Sequence, residues 1–256
     1  MLLAIDVGNT QTVIGLIEGD DLSHDWRIST VRDRASDEYR LLLRGLLEEE
    51  NSVEIHGAAL SSVVPTATKA LRAPLEELSH GPVLVVGPGV RTGISIRIDN
   101  PREVGADRIV NALAAFDLYG GPAIVVDFGT ATTLDALGPD GAYLGGAIAP
   151  GLEIAVDALI HETSALRRVD LVPPRSVIGK GTVEAIQSGS VFGYASLVDG
   201  MVARMSAELG PKTEVVATGG LASLIIPHCQ TVDRIDEFLT LKGLRRIYDL
   251  NHDAPR

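Results

Sequence analysis

Aromatic residues are scarce in this chain, cysteine is nearly absent, and positive charge is outnumbered. Phe, Trp and Tyr make up 4% of 256 residues, so a core must come from Val, Ile, Leu and Ala within the 45% that is hydrophobic. The one cysteine, Cys229, cannot close an internal disulfide or supply a Cys-rich zinc site, which fits a reducing compartment. With 22 Lys and Arg against 34 Asp and Glu, the formal net charge is -12. A surface that acidic repels nucleic-acid phosphates and anionic lipid. Long apolar runs are missing too: none approaches the roughly 18 residues that span a bilayer. The N-terminal MLLAIDVGNT has no basic segment, and Asp6 interrupts its apolar run. The expectation is a soluble, cytoplasmic protein without nucleic-acid or membrane partners. Also absent are the Gly-x-x-x-x-Gly-Lys-Ser/Thr loop, the protein-kinase motif set and His-Glu-x-x-His. The six histidines are scattered without metal-ligand spacing.

What is present is a repeated opening. Leu2-Leu3-Ala4-Ile5-Asp6-Val7-Gly8 runs into Asn9-Thr10-Gln11-Thr12 and a second strand-like stretch that ends at Gly19-Asp20. Ala123-Ile124-Val125-Val126-Asp127-Phe128-Gly129 runs likewise into Thr130-Ala131-Thr132-Thr133 and ends at Asp140-Gly141. Asp6 aligns with Asp127, Gly8 with Gly129 and Thr12 with Thr133, and each copy closes on a hairpin turn. Helical segments are expected at 37–50, 66–79, 100–119, from 152, at 182–209 and at 239–248, with further strands at 58–64, 83–86 and 214–217. Gly120-Gly121-Pro122 breaks the third helix and divides the chain into domains 1–119 and 120–256. Two β-rich openings, each followed by helices and strands, predict an α/β protein of two duplicated domains with a ligand cleft between them.

The repeated Asp-x-Gly turn has two readings. One is a tight connection between buried strands. The other is a phosphate site, in which an aspartate at a strand end offers a hard oxygen to Mg²⁺. The glycine then lets backbone N–H groups approach a phosphate. Finding the turn twice in matching context favours the second. An acidic protein repels a nucleotide, so ATP binding here requires such backbone donors and a metal cation. Val104-Gly105-Ala106-Asp107-Arg108 is a further signal. Charges in a first helical turn are commonly dipole partners. As functional groups, Asp107 would accept a hydroxyl proton and Arg108 would clamp a carboxylate in two-point fashion. Thr218-Gly219-Gly220 follows a strand and suits a phosphate or a base.

These segments, with Gly145-Gly146-Ala147-Ile148-Ala149-Pro150-Gly151, Ile178-Gly179-Lys180, Thr182-Val183-Glu184 and Leu239-Thr240-Leu241-Lys242-Gly243-Leu244, resemble in order the motif set of type III pantothenate kinases. The resemblance covers essentially the whole chain, and the Gly-Ala-Asp-Arg block is its most specific part. It implies two actin-like, ribonuclease H-like domains with a nucleotide cleft, assembled as a homodimer. The reaction it implies is transfer of the γ-phosphate of ATP to pantothenate, giving 4'-phosphopantothenate for coenzyme A. By motif position, Asp6, Val7, Gly8, Asn9, Thr10, Gln11, Thr12 and Val13 would form the first nucleotide loop, with Asp6 toward Mg²⁺. Gly105, Ala106, Asp107 and Arg108 would hold pantothenate, with Asp107 as proton acceptor. Asp127 would bind a monovalent cation, K⁺ or NH₄⁺; Thr130 would contact ATP and Thr182 substrate. Gly181 departs from the family, whose members usually carry Asn there, and Gln11 is a milder change. The alternatives are a regulatory relative without turnover and a kinase for another small molecule. Retention of Asp6, Asp107, Arg108 and Asp127 favours catalysis.

Overall fold

Strand β1 (Leu2–Val7) is buried along nearly its whole length, as suits a central strand flanked on both sides. In the computed structural model, which describes residues 1–48, 53–163 and 168–252, it pairs antiparallel with β2 (Gln11–Glu18) and parallel with β4 (Gly57–Ser62). Strands β3 (Asp21–Ser29) and β5 (Val83–Val85) complete a five-stranded sheet of order β3-β2-β1-β4-β5. The second sheet repeats this plan. Strand β6 (Ala123–Phe128) pairs antiparallel with β7 (Ala131–Leu137) and parallel with β9 (Glu214–Thr218). With β8 (Tyr143–Pro150) and β10 (Arg234–Ile235) the order is β8-β7-β6-β9-β10. The expected duplication is therefore present in topology, strand for strand.

Two compact units contain these sheets. One comprises Met1–Ile94, Asp99–Ala114 and the chain from Leu239 onward; the other comprises Ser95–Ile98 and Ala115–Phe238. In the first, Leu3, Ile5, Val7, Ile14 and Leu16 cover one sheet face, and they meet α1 (Ser36–Glu48) and α2 (Pro65–Leu78). Tyr39, Leu43 and Leu47 recur at the four-residue spacing of one helix face. The other face takes α7 (Leu239–His252), which packs over β1, β2 and β4. A linear division at 119/120 puts α7 in the second half, whereas by contact it belongs to the first unit. Room for it comes from Gly15, where an added Cβ would lie 2.6 Å from the Leu241 side chain.

In the second unit Ile124, Val126, Phe128 and Leu134 pack with α4 (Leu152–His161), α5 (Thr182–Leu209) and the short α6 (Ala222–Ile225). Val191, Ala195, Val198 and Val202 form the buried stripe of α5. Cys229 lies half-buried beside this core, and burial, followed by the nearby Asp199 charge, pushes its thiol up to about 12, so it packs rather than reacts.

Two further expectations change. The helix read from residue 100 is two pieces: a single 3₁₀ turn at Pro101–Glu103, then α3 (Ala106–Tyr119). The Asn100 side chain caps the turn by accepting the Arg102 N–H at 3.3 Å, and Val104 is extended (φ -78°, ψ 127°), which ends it. The hairpin alignment also shifts by one. Val7 pairs with Thr12 and Phe128 with Thr132, so the first turn encloses residues 8–11 and the second 129–131. Thr12 thus corresponds to Thr132, not Thr133, and both are buried. The helix expected at 37–50 ends at Glu48 among the described residues; positions 49 and 50 lie outside them.

Candidate active site

In the first unit the Asp6–Val13 segment is a strand end, a turn and a strand start. Asp6 is half-buried and in register with Val13 and with the buried Ser61 of β4. The turn is closed by the Gly8 N–H donating to the Gln11 carbonyl at 3.0 Å. A Cβ on Gly8 would sit 3.0 Å from that same carbonyl oxygen, so glycine keeps the turn tight. Asn9, Thr10 and Gln11 are exposed at its tip. Val7 faces the core and Thr12 shares a 2.8 Å hydrogen bond with Thr30 Oγ1, so these two residues offer a ligand their backbone rather than their side chains.

The second element is the start of α3. Gly105 accepts the first helical hydrogen bond, from Ile109, at 3.3 Å. The Arg108 N–H donates to Asp107 Oδ1 at 2.9 Å, so Asp107 serves one of the N–H groups that a helix start leaves open. Burial pushes the Asp107 carboxyl above the usual aspartate range; the Arg108 backbone bond and guanidinium oppose the shift without cancelling it. A carboxylate so placed is a better proton acceptor than an exposed one. Gly105 gives it space: an added Cβ would meet Asp107 Oδ1 at 2.4 Å. One turn further, Asn111 is buried and accepts a 2.7 Å hydrogen bond from Thr240 Oγ1 of α7.

In the second unit Asp127 is the register partner of Thr133 and of Thr218. The Thr218-Gly219-Gly220 turn presses against it. Gly219 takes φ +93°, and a Cβ there would lie 2.5 Å from Asp127 Oδ1 and 2.6 Å from the Phe128 nitrogen. Only glycine satisfies both demands. Thr130 lies in the turn of residues 129–131, where the Gly129 N–H donates to the Ala131 carbonyl at 3.1 Å. The N-terminus of α4 rests on this turn: Gly151 N–H donates to the Thr130 carbonyl at 3.2 Å, and a Cβ on Gly151 would meet that oxygen at 2.2 Å. Sequence reasoning quoted Gly151 without giving it a role. Its signal was the Pro-Gly pair before a helix start, which does not itself say what the glycine touches.

Thr182 is the first residue of α5 and is exposed. It lines a cavity of about 430 Å³ between α4 and α5, with Val156, Leu159, Ile186 and Tyr194. Gly181 is the N-cap and makes no side-chain cap bond. Replacing a capping Asn by Gly costs only a few tenths of a kcal/mol. Glu184 of the first turn ties back the segment before the cap instead, accepting the Lys180 N–H at 3.1 Å and pairing with Arg175.

The first unit thus holds the Asp6–Val13 turn and the Gly105–Arg108 helix start; the second holds Asp127, Thr130 and Thr182. Among the described residues no grouping of three or more His, Cys, Asp or Glu could hold a metal ion. A strand-end aspartate with few protein co-ligands suits Mg²⁺ carried by a nucleotide, since Mg²⁺ commonly takes one or two carboxylates and completes its shell with phosphates and water.

The family sequence model described as type III pantothenate kinase matches residues 2–204. A type III pantothenate kinase of Moorella thermoacetica is 54% identical over 254 residues, covering 98% of this chain and 100% of the relative. One from Frankia alni is 54% identical over 252 residues, with 98% and 100% covered. Among solved structures, the inorganic polyphosphate/ATP-glucomannokinase of an Arthrobacter strain superposes with a TM-score of 0.54 at 15% identity, covering 98% of this chain and 99% of that one. At that identity the likeness speaks to the fold, which is the two-domain actin-like fold.

Proposed function

This chain belongs to the type III pantothenate kinase family, and from that premise we infer that it transfers the γ-phosphate of ATP to the 4'-hydroxyl of pantothenate, giving 4'-phosphopantothenate for coenzyme A. The observation that carries this reading is 54% identity over nearly the full chain. The local geometry supplies the chemistry.

Asp107 takes the proton of the pantothenate hydroxyl. As that oxygen forms its bond to the γ-phosphorus, the bond from phosphorus to the bridging oxygen breaks and ADP leaves. The raised Asp107 carboxyl brings its proton affinity closer to that of the group it must deprotonate. Arg108 holds the pantothenate carboxylate through two parallel N–H bonds. Thr182 offers a substrate-contacting hydroxyl at the start of α5. With the Gly8 N–H committed to closing its turn, the remaining backbone N–H groups of the Asp6–Val13 segment hold phosphate oxygens, and Thr130 contacts ATP. Asp6 would hold the Mg²⁺ that arrives with ATP, which would supply charge neutralisation at the phosphates. Asp127, crowded by the Gly219 backbone, would hold K⁺ or NH₄⁺.

The enzyme is inferred to work in the cytoplasm as a homodimer. Ile148, Ile154, Leu159, Val177, Ile178 and Val183 are exposed on the second unit, and a second copy would cover such residues. Neither nucleic acid nor membrane is a partner, since a net charge of -12 repels both. Among the described residues no helix is long and apolar enough to cross a membrane.

The test is ADP release by purified protein across a panel of pantothenate, hexoses and acetate. The inference requires turnover with pantothenate alone; equal turnover with a hexose would make the chain a kinase for a different substrate.

A further inference from the structure

The segment Leu239-Thr240-Leu241-Lys242-Gly243-Leu244 carries no role in the reaction described above, yet it packs against both α3 and β2, the elements that lead from the first unit's functional residues. On one side is α3. Thr240 Oγ1 donates to Asn111 Oδ1 at 2.7 Å, and Asn111 is 1% exposed. Three residues on, Gly243 lets the two helices approach at backbone distance: an added Cβ would lie 2.4 Å from the Val110 carbonyl oxygen and 2.7 Å from Val110 Cγ1. On the other side is β2, the strand that leaves the nucleotide turn. Leu241 fills the space above Gly15, and it is itself buried.

We propose that Thr240 is a positioning residue for the reaction: its hydrogen bond to Asn111 fixes the α3 start that carries Asp107. Three observations combine. First, Asn111 lies four residues after Asp107 on the same helix. Side chains at that spacing share a face, with Cβ atoms about 5–6 Å apart. Second, Asn111 is buried, so its amide orientation is set by protein partners and not by water. A buried amide oxygen that loses its donor pays a desolvation penalty or turns to find another. Third, three residues along α7 from the bond, Gly243 lies so close to Val110 of α3 that a Cβ there would meet its carbonyl oxygen at 2.4 Å. The first turn of α3 is preceded by the extended Val104 rather than by a continuous helix. Fixing the helix from α7 sets where the Asp107 carboxylate stands, and Leu241 ties that position to the strand bearing the nucleotide turn.

The inference rests on Asp107 being the proton acceptor, so the test separates the two. Thr240→Val keeps the shape and removes the hydroxyl; Thr240→Ser keeps the hydroxyl and removes the methyl. In the full-length protein, the valine variant is expected to lower kcat about tenfold, in line with the sensitivity of catalysis to sub-ångström misplacement. KM for pantothenate and for ATP should stay within about twofold, and the serine variant should restore kcat. Amide exchange at Asp107 and Arg108 should speed up in the valine variant and not in the serine variant. Gly243→Ala, which forces α7 off α3 while keeping the Thr240 hydroxyl, is expected to lower kcat in the same selective way. Wild-type kcat in folded Thr240→Val or folded Gly243→Ala overturns the proposal. So does a serine variant as slow as the valine one, or a kcat loss that merely follows the folded fraction. Asp107→Asn run in parallel tells the failures apart: if it turns over like wild type, the base assignment has failed, whatever Thr240 does.

Discussion

Replacing Gly105 by alanine offers a sharp separation of catalysis from folding. Gly105 does not occupy the left-handed region, so its backbone accepts an L side chain. The conflict is steric and local. The new Cβ would lie 2.4 Å from Asp107 Oδ1, 3.5 Å from Asp107 Cγ and 3.6 Å from Val63 Cγ1. The last two are ordinary contacts, so only the carboxylate oxygen must move, and ordinary contact begins near 3.4 Å. The carboxylate therefore shifts by roughly 1 Å, a displacement that costs on the order of 10²-fold in rate when it moves a reacting group. It also breaks the 2.9 Å bond from the Arg108 N–H, which is worth about 1 kcal/mol. Gly105→Ala should thus lower kcat about 10²-fold while remaining folded, with a modest fall in Tm and little change in KM for ATP. Steady-state ADP release and a thermal melt measure both. Wild-type kcat in this variant would mean that the Asp107 carboxylate position does not matter, and the account of the α3 start would fall with it.

Asp107→Asn should keep binding and lower kcat by about 10²–10⁴-fold, the range for general acid–base catalysis. Because burial raises the Asp107 carboxyl, wild-type activity should fall as pH drops through that raised value, above the ordinary aspartate range. The same shift makes the folded state bind more protons between the unfolded and folded pKa values, so its contribution to stability declines as pH rises through that window. At neutral pH the buried charge is a net cost, and Asp107→Asn should raise Tm; a lowered Tm would contradict the burial argument. Arg108→Lys should raise KM for pantothenate roughly tenfold and leave KM for ATP nearly unchanged, because Lys cannot copy a planar two-point contact; equal effects on both substrates would mark a structural role. Activity should increase when K⁺ or NH₄⁺ replaces Na⁺ at constant ionic strength, and Asp127→Ala should lose most of that response. Equal rates in Na⁺ and K⁺ would remove the cation from Asp127.

The duplicated sheet was legible in the sequence because its signals are local: four apolar residues, an Asp-x-Gly turn, a second strand and a hairpin turn, twice. The register within that repeat was not. The two turns differ by one residue, and counting along the chain carries Thr12 onto Thr133, where the pairing of strands carries it onto Thr132. The sequence points to a helix start at Asn100 rather than Ala106 because Asn100-Pro101-Arg102-Glu103 has every feature of a cap and first turn, and it does form one, a single 3₁₀ turn. The extended backbone at Val104 that separates the two carries no distinct residue signature. The docking of α7 and the close approaches at Gly151, Gly219 and Gly243 are tertiary facts. Each places a glycine against backbone or a carboxylate far away in sequence, and neither periodicity nor turn chemistry encodes what lies opposite.

The most direct test of the account is the fate of the phosphate. Purified protein, pantothenate, ATP, Mg²⁺ and K⁺ would be followed by phosphorus NMR, with the product then identified by mass spectrometry and by the hydroxyl that carries the phosphate. The account predicts one phosphomonoester, on the 4'-hydroxyl of pantothenate, formed mole for mole with ADP and suppressed in Asp107→Asn. ADP released with inorganic phosphate and no phosphorylated pantothenate would contradict it.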